Sequence, residues 1–141
     1  MQTMTAEEIR AFLLTGTRTA KLATTRPDGR PHLAPVWFVL DGDDILFNTG
    51  DDTVKARNIR RNAHVSIVVD DETYPYAFVM IEGSATLSDD LDEVRHWATR
   101  IGARYAGEAR AEEYGARNGV PGELLVRVIP TKIIGQSGIA E

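Results

Sequence analysis

The sequence predicts a mainly β, α+β domain: an antiparallel barrel, closed or split, with peripheral helices. Three observations carry this. Strand-length runs of apolar and β-branched residues recur along the chain and are joined by short turn signals, which favours antiparallel neighbours. The elements run helix, three strands, short helix, two strands, helices, then strands, and not as alternating strand and helix. No Gly-x-Gly-x-x-Gly lies between a strand and a helix, which disfavours a doubly wound dinucleotide-binding fold. At 141 residues the chain is expected to be a single domain, 1–141, with its own core.

In chain order, Thr5-Ala6-Glu7-Glu8 is a capping box, and Ile9, Phe12 and Leu13 follow at helical spacing. The pattern predicts a helix over Ala6 to Leu14, ended by Gly16 and covering an open end of the fold. Thr19 to Thr25 reads as a strand, Pro27-Asp28-Gly29 as a tight turn and Pro31 to Leu40 as the second strand of a hairpin. Pro35 cannot donate to a ladder, so it marks an edge or a bulge. The run Val36 to Leu40 is apolar on both faces, more than one barrel interior hides. Asp41 to Asp44 turns into a third strand, Ile45 to Thr49, making a meander. A short helix over Ala56 to Asn62 leads to a β-branched strand, His64 to Val69. Asp70 to Pro75 is a loop, and Tyr76 to Leu87 a long strand with a bulge expected at Gly83. Ser88 or Asp89 is expected to cap a helix with Leu91, Val94, Ala98, Ile101 and Tyr105 on one face. A short helical piece over Ala109 to Ala116 and a turn over Asn118 to Gly122 follow. Leu124 to Ile129 and Thr131 to Ile134 close the fold as strands broken by Pro130.

A net charge of −5 argues against broad nucleic-acid or membrane-surface binding. The absence of cysteine excludes disulfides, thiolate metal sites and a Cys nucleophile. With no signal-peptide pattern and no apolar run near the ~20 residues of a membrane span, a cytoplasmic protein is expected. His32, His64 and His96 lack zinc-motif spacing, and the aspartate pairs at 43–44, 51–52, 70–71 and 89–90 read as turn and cap residues, so no metal site is expected. Gly135-Gln136-Ser137-Gly138 has the wrong spacing for a nucleophile elbow, and nothing pairs with Glu82. Trp37, Tyr74, Tyr76 and Phe78 are candidate walls for a planar ligand, with core packing the simpler role for Phe78.

The stretch from Thr49 to Asn58 is the functional focus. A strand ends, the chain turns at Gly50 and a helix begins near Thr53, so unpaired N–H groups and a positive helix end face one spot. Thr53 adds a hydroxyl, Lys55 a point charge and Arg57 a planar fork suited to phosphate oxygens. Lys55 to Arg61 holds four basic residues and no acidic one, while the rest of the chain has twelve basic against twenty-one acidic. A positive spot on a negative protein points to one specific anionic ligand.

Three segments in order resemble the pyridoxamine 5′-phosphate oxidase-like superfamily of flavin-binding split β-barrels. They are AKLATTRPDGRPHLAPVWF (Ala20 to Phe38), LFNTGDDTVKARNIRRN (Leu46 to Asn62) and VMIEGSATL (Val79 to Leu87), about half the chain. The nearest resemblance is to the subgroup that uses the deazaflavin coenzyme F420. It implies an F420-dependent oxidoreductase acting on an unsaturated or quinone-like small molecule. It also implies a homodimer with each ring against the second strand of one protomer, under a loop of the other. Thr49, Thr53 and Lys55 match the superfamily's phosphate positions. Val54 stands where FMN-using oxidases place an arginine, which favours F420, with Arg57 and Asn58 sharing the anion; FMN is the alternative cofactor. Pro35, Val36 and Trp37 would contact the ring edge through backbone freed near Pro35. Tyr74 and Tyr76 are candidate proton donors beside solvent. The oxidases' C-terminal pyridoxal-phosphate contacts are not recognisable in Gln136 to Glu141, so vitamin B6 oxidation is not expected. An FMN-dependent reductase or oxidase and a non-catalytic cofactor carrier are the other readings.

Overall fold

Along the strands, buried and half-buried positions alternate with the period-two pattern of a sheet that has one face in the core, as over Ala20–Thr25. A computed structural model describes all residues, 1–141. The elements are β1 (Gln2–Thr3), α1 (Ala6–Leu14), β2 (Ala20–Thr25), β3 (Pro31–Val36), β4 (Val39–Asp41), β5 (Asp44–Gly50), α2 (Val54–Arg61), β6 (His64–Asp71), β7 (Ala77–Ser88), α3 (Leu91–Ala106), a 3₁₀ turn (Glu108–Arg110), α4 (Ala111–Asn118) and β8 (Glu123–Ser137).

One antiparallel sheet runs in the order β3-β2-β6-β7-β8-β5-β4, with β1 paired to β8. Its two edge strands, β3 and β4, are separated only by Trp37 and Phe38. From Val36 to Val39 the chain reaches at most roughly 11 Å. The sheet therefore curls until its edges nearly meet, making a barrel split along one seam that Trp37-Phe38 bridges. This corrects two expectations. Pro31 to Leu40 is two strands, and no meander forms, because β3 pairs with β2 while β4 pairs with β5.

Other boundaries differ too. The cap of α3 is Asp90, whose Oδ1 accepts from the amides of Asp92 and Glu93, whereas Ser88 donates to Glu93. The closing strands are one continuous strand, β8, because the bulge absorbs Pro130: Glu82 faces Lys132 and Gly83 faces Pro130, so the extra residue, Thr131, lies on β8. Gly83 is the counterpart of that bulge, since a methyl group there would stand 2.6 Å from the Ile129 carbonyl oxygen.

The barrel interior is filled by Leu22, Phe38, Phe47, Ile67, Ile81 and Val126, all essentially inaccessible. The capping box of α1 is formed as expected, and α1 covers one barrel end with Leu13, Ile9 and Phe12 against the core. Helix α3 covers the outer face of β5 and β8, where Val94 meets Leu46 and Leu125. The outer face of β3, β2, β6 and β7 carries no helix of this chain.

The seam is pinned from α3. Arg104 donates to the carbonyls of Leu13 (2.7 Å), Gly16 (3.1 Å) and Phe38 (2.7 Å) and lies over the Phe38 ring. The Tyr105 hydroxyl accepts from the Phe38 amide (3.1 Å) and donates to the Arg18 carbonyl (2.8 Å). Burial pushes the Tyr105 phenol up, and it lowers Arg104. Both effects fit groups withdrawn from water but held by backbone partners.

Candidate functional site

The turn after β5 folds as its residues require. Thr53 is the N-cap of α2: its Oγ accepts from the Ala56 amide (3.2 Å), donates to the Gly50 carbonyl (2.9 Å) and lies 2.9 Å from Thr49 Oγ. Thr49 is buried directly behind it. The two hydroxyls therefore shape the turn first, and the positive end of α2 opens beside them.

The basic residues of α2 divide between two flanks. Lys55 lies on one, beside Glu123 of β8 and Arg117 of α4. Burial pushes the Glu123 carboxyl up, Asp51 and Asp52 add to this, and Lys55 and Arg117 oppose it. Arg57 lies on the other flank, in a groove of about 420 Å³ between α2 and the β2–β3 hairpin, lined also by Arg26, Arg30, Arg61 and Asp28. Asp28 is held by Arg30 at 2.8 Å, so the groove carries a strong positive excess. Lys55 and Arg57 take part in no ion pair.

The remaining polar residues of α2 are hydrogen-bonded within the chain. Asn58 is buried and donates to Thr24 Oγ (3.0 Å) while accepting from Arg61 (3.1 Å). Arg61 also donates to the Thr25 carbonyl, and Arg60 donates to the Asp51 carbonyl (2.7 Å). Arg26 and Arg30 lie outside the Thr49 to Asn58 focus that the sequence marks. Their signal was the Arg-Pro-Asp-Gly-Arg turn, whose two arginines flank a hairpin tip, but only the tertiary fold lays that tip against α2.

Pro35 keeps its place in the ladder opposite Lys21, and pairing continues to Val36 opposite Ala20. The irregularity expected near Pro35 falls instead at Trp37-Phe38. Trp37 stacks on Tyr105 (ring centres 5.0 Å apart, planes within 3°) and tilts against Tyr114 at 5.7 Å. Tyr74 and Tyr76 lie apart from this group, edge to face with each other in the exposed β6–β7 turn. Tyr76 has φ 69°, and its carbonyl accepts from the Ile139 amide. Asn48, next to Thr49 but on the opposite face of β5, has a buried side-chain amide with no protein partner.

The donor set suits a phosphate: an unpaired ammonium, a helix N-terminus and a capping hydroxyl, with a guanidinium on the adjoining flank. No histidine, cysteine or carboxylate cluster is close enough to hold a metal, and no helix is long and apolar enough to cross a membrane.

Several solved structures share this fold. Among solved structures, the conserved protein Rv2991 of Mycobacterium tuberculosis is 27% identical, covering 92% of this chain and 82% of that one at a TM-score of 0.81. A protein described as an F420 reductase is also 27% identical, covering 86% of this chain and 92% of that one at 0.68. An FAD-binding protein from Mesorhizobium loti, 18% identical over 95% of this chain and 93% of that one, shares the fold at 0.71. The family model described as pyridoxamine 5′-phosphate oxidase matches residues 5–136. From the covering helix through almost all of β8, then, this split barrel belongs to the pyridoxamine 5′-phosphate oxidase family.

Proposed function

We propose that this protein is an F420-dependent oxidoreductase moving a hydride between reduced deazaflavin and an unsaturated or quinone-like small molecule. The observation that carries this is the cation arrangement on α2. Lys55 stands free at the first turn, the next position toward the N-terminus is the apolar Val54, and the further positive charge lies along a groove instead of in a compact clamp. A single-phosphate cofactor has no use for the Arg26-Arg30-Arg57-Arg61 groove, whereas the oligoglutamate tail of F420 is a chain of carboxylates that such a groove accepts. The 27% identity to an F420 reductase supports the same reading.

In this reading Thr53 and Lys55 hold the phosphate, with Thr49 fixing Thr53 from behind. Arg57 takes the acidic tail, and Asn58 acts by holding Arg61 against β2. Pro35, Val36 and Trp37, at the edge strand and seam, meet the ring. The cofactor supplies two-electron hydride chemistry when bound. The residues bind it, orient it and exclude water, and the proton comes from solvent or from Tyr74 or Tyr76. The uncovered outer face of β3, β2, β6 and β7 supports a homodimer with a composite site. The setting is cytoplasmic.

The test is titration of the apoprotein with F420 and with FMN at low and moderate salt. F420 is expected to bind more tightly, with a salt-sensitive contribution from the tail. Lys55→Ala is expected to weaken F420 binding roughly tenfold to a hundredfold, the loss of one charge-assisted contact, with unchanged circular dichroism. Tighter FMN binding would move the assignment to a flavin enzyme. Equal affinity of Lys55→Ala and wild type would remove the phosphate role.

A further inference from the structure

The barrel end under α1 holds a cavity of about 370 Å³. Its apolar walls are Met4, Ile9, Leu13, Leu40, Ile45 and Ile133. Leu40 and Ile45 pair across β4 and β5, and Leu13 and Ile45 are buried. The cavity lies at the other end of the barrel from the anion turn. Ile45 and Thr49 are four residues apart on β5, a separation of roughly 13 Å in a strand, with the inaccessible Phe47 between them.

The cavity is not slack beneath a loose lid. The Met4 amide donates to the Gly135 carbonyl at 2.9 Å. A methyl group on Gly135 would stand 2.8 Å from Met4 Sδ and 2.9 Å from Ile9 Cγ1, so β8 receives both residues closely. Across the cavity, the Arg10 guanidinium donates to the Gly42 carbonyl at 2.6 Å and ties α1 to the β4–β5 turn. The lid is seated on both sides, and the space between is part of its shape. A volume of this size falls within the range of small-molecule sites, about 300–1,000 Å³, and such sites combine apolar walls with a few placed polar groups.

The polar groups here are at the mouth. Arg10 and Asp43 both line the cavity and are exposed at its opening. Arg10 reaches the carbonyl of the residue next to Asp43, yet neither side chain takes part in an ion pair. An ionised head group entering this mouth is attracted by one residue, repelled by the other, and desolvated against the apolar walls. A neutral hydroxyl has no such conflict: it accepts from Arg10 and donates to Asp43.

We infer that this cavity is a second binding site, separate from the cofactor site, and that it takes a small neutral amphiphile: a medium-length hydrocarbon ending in a hydroxyl group. The hydrocarbon lies against Leu13, Leu40 and Ile45, and the hydroxyl sits between Arg10 and Asp43.

Calorimetric titration of the whole chain with 1-octanol, octanoate and octylamine tests this. Octanol is expected to bind saturably at one site per chain, and at least about fivefold more tightly than either ion, whose heads pay desolvation. Ala6 is exposed in the first turn of α1 and lines the cavity. Ala6→Phe places a ring in the opening without entering the core, and is expected to cost at least about tenfold in octanol affinity with unchanged circular dichroism. The charge variants cross. Asp43→Asn leaves Arg10 unopposed and is expected to raise octanoate affinity about fivefold, and Arg10→Gln to raise octylamine affinity by about as much, the size of one charge contact at ~4 Å in water. Saturating F420 is expected to leave octanol binding unchanged, so the result stands whichever cofactor the anion turn takes. No saturable octanol binding, equal affinity for the three probes, wild-type affinity in Ala6→Phe, or charge variants that fail to cross would overturn the inference. So would displacement of octanol by F420, which would assign the cavity to the cofactor, or a change of oligomeric state with octanol, which would show that a second copy covers it.

Discussion

At the residue scale, the outcome at each position of α2 depends on which partner the side chain finds first. Asn58 and Arg61 are polar residues on a basic helix, but Thr24 and the Thr25 carbonyl claim them. Lys55 finds no carboxylate in hydrogen-bond range, although Glu123 is near. Glu123 is the informative neighbour. Burial, then Asp51 and Asp52, raise its carboxyl above the ordinary value of about 4.3. A carboxyl raised on folding contributes stability that is complete below its unfolded pKa and is lost as pH rises through its folded pKa. At pH 7 the charged Glu123 is therefore a small net cost, reduced by its partial exposure to solvent. Glu123→Gln is expected to raise the melting temperature by on the order of 1–2 °C at pH 7 and to leave it unchanged near pH 4. Calorimetry at the two pH values tests this, and a gain of equal size at both would mean that packing, not charge, is responsible.

At the scale of elements, the α3–α4 hairpin is built on close approach. A methyl group at Gly102 would stand 2.5 Å from Tyr114 Cβ, and one at Gly115 would overlap Thr99 Oγ. In an isolated helix Gly→Ala stabilises by about 1 kcal/mol. Here the sign is expected to reverse, because Tyr114 sits on the α4 backbone and has little room to retreat. Gly102→Ala is expected to destabilise by about 1–3 kcal/mol in urea unfolding, with faster amide exchange over residues 111–118. Stabilisation would show that α4 shifts without cost, and that Tyr114 is a weak buttress for Trp37.

For the whole molecule, the sheet has two unlike outer halves. The half formed by β5 and β8 lies under α3. On the other half, register sets Pro35, Lys21, Val68, Met80 and Ile134 in one row and Leu33, Ala23, Ser66, Glu82 and Lys132 in the next, on a face no helix covers. Leu33 is 69% exposed there. Apolar residues flanked by an acid and a base that face each other across β7 and β8 suit a two-fold partner. Leu33→Glu is expected to convert a dimer into a monomer by light scattering at micromolar concentration and to weaken cofactor binding with it. A wild-type monomer would exclude the composite site. A Leu33→Glu dimer would place the interface elsewhere.

The sequence alone determined what is local or periodic. The capping box of α1, the turn at Pro27 to Gly29, the strand–turn–helix at Thr49 to Asn58 and the mainly β class follow from side chains acting within a few residues of themselves. Placement across the chain was decided by tertiary structure. Nothing local distinguishes one strand from two over Pro31 to Leu40. The break at Trp37-Phe38 exists because the curled sheet brings its edges together there, and because Arg104 and Tyr105, more than sixty residues away, satisfy the backbone groups the break exposes. The same holds for the basic groove: Arg26 and Arg30 become neighbours of Arg57 only when Thr24 and Thr25 receive Asn58 and Arg61 from α2. Cap and turn energies depend on neighbouring residues, which a sequence displays. Seams and grooves depend on which distant backbone groups remain unpaired once the sheet has closed, and only the closed sheet reveals them.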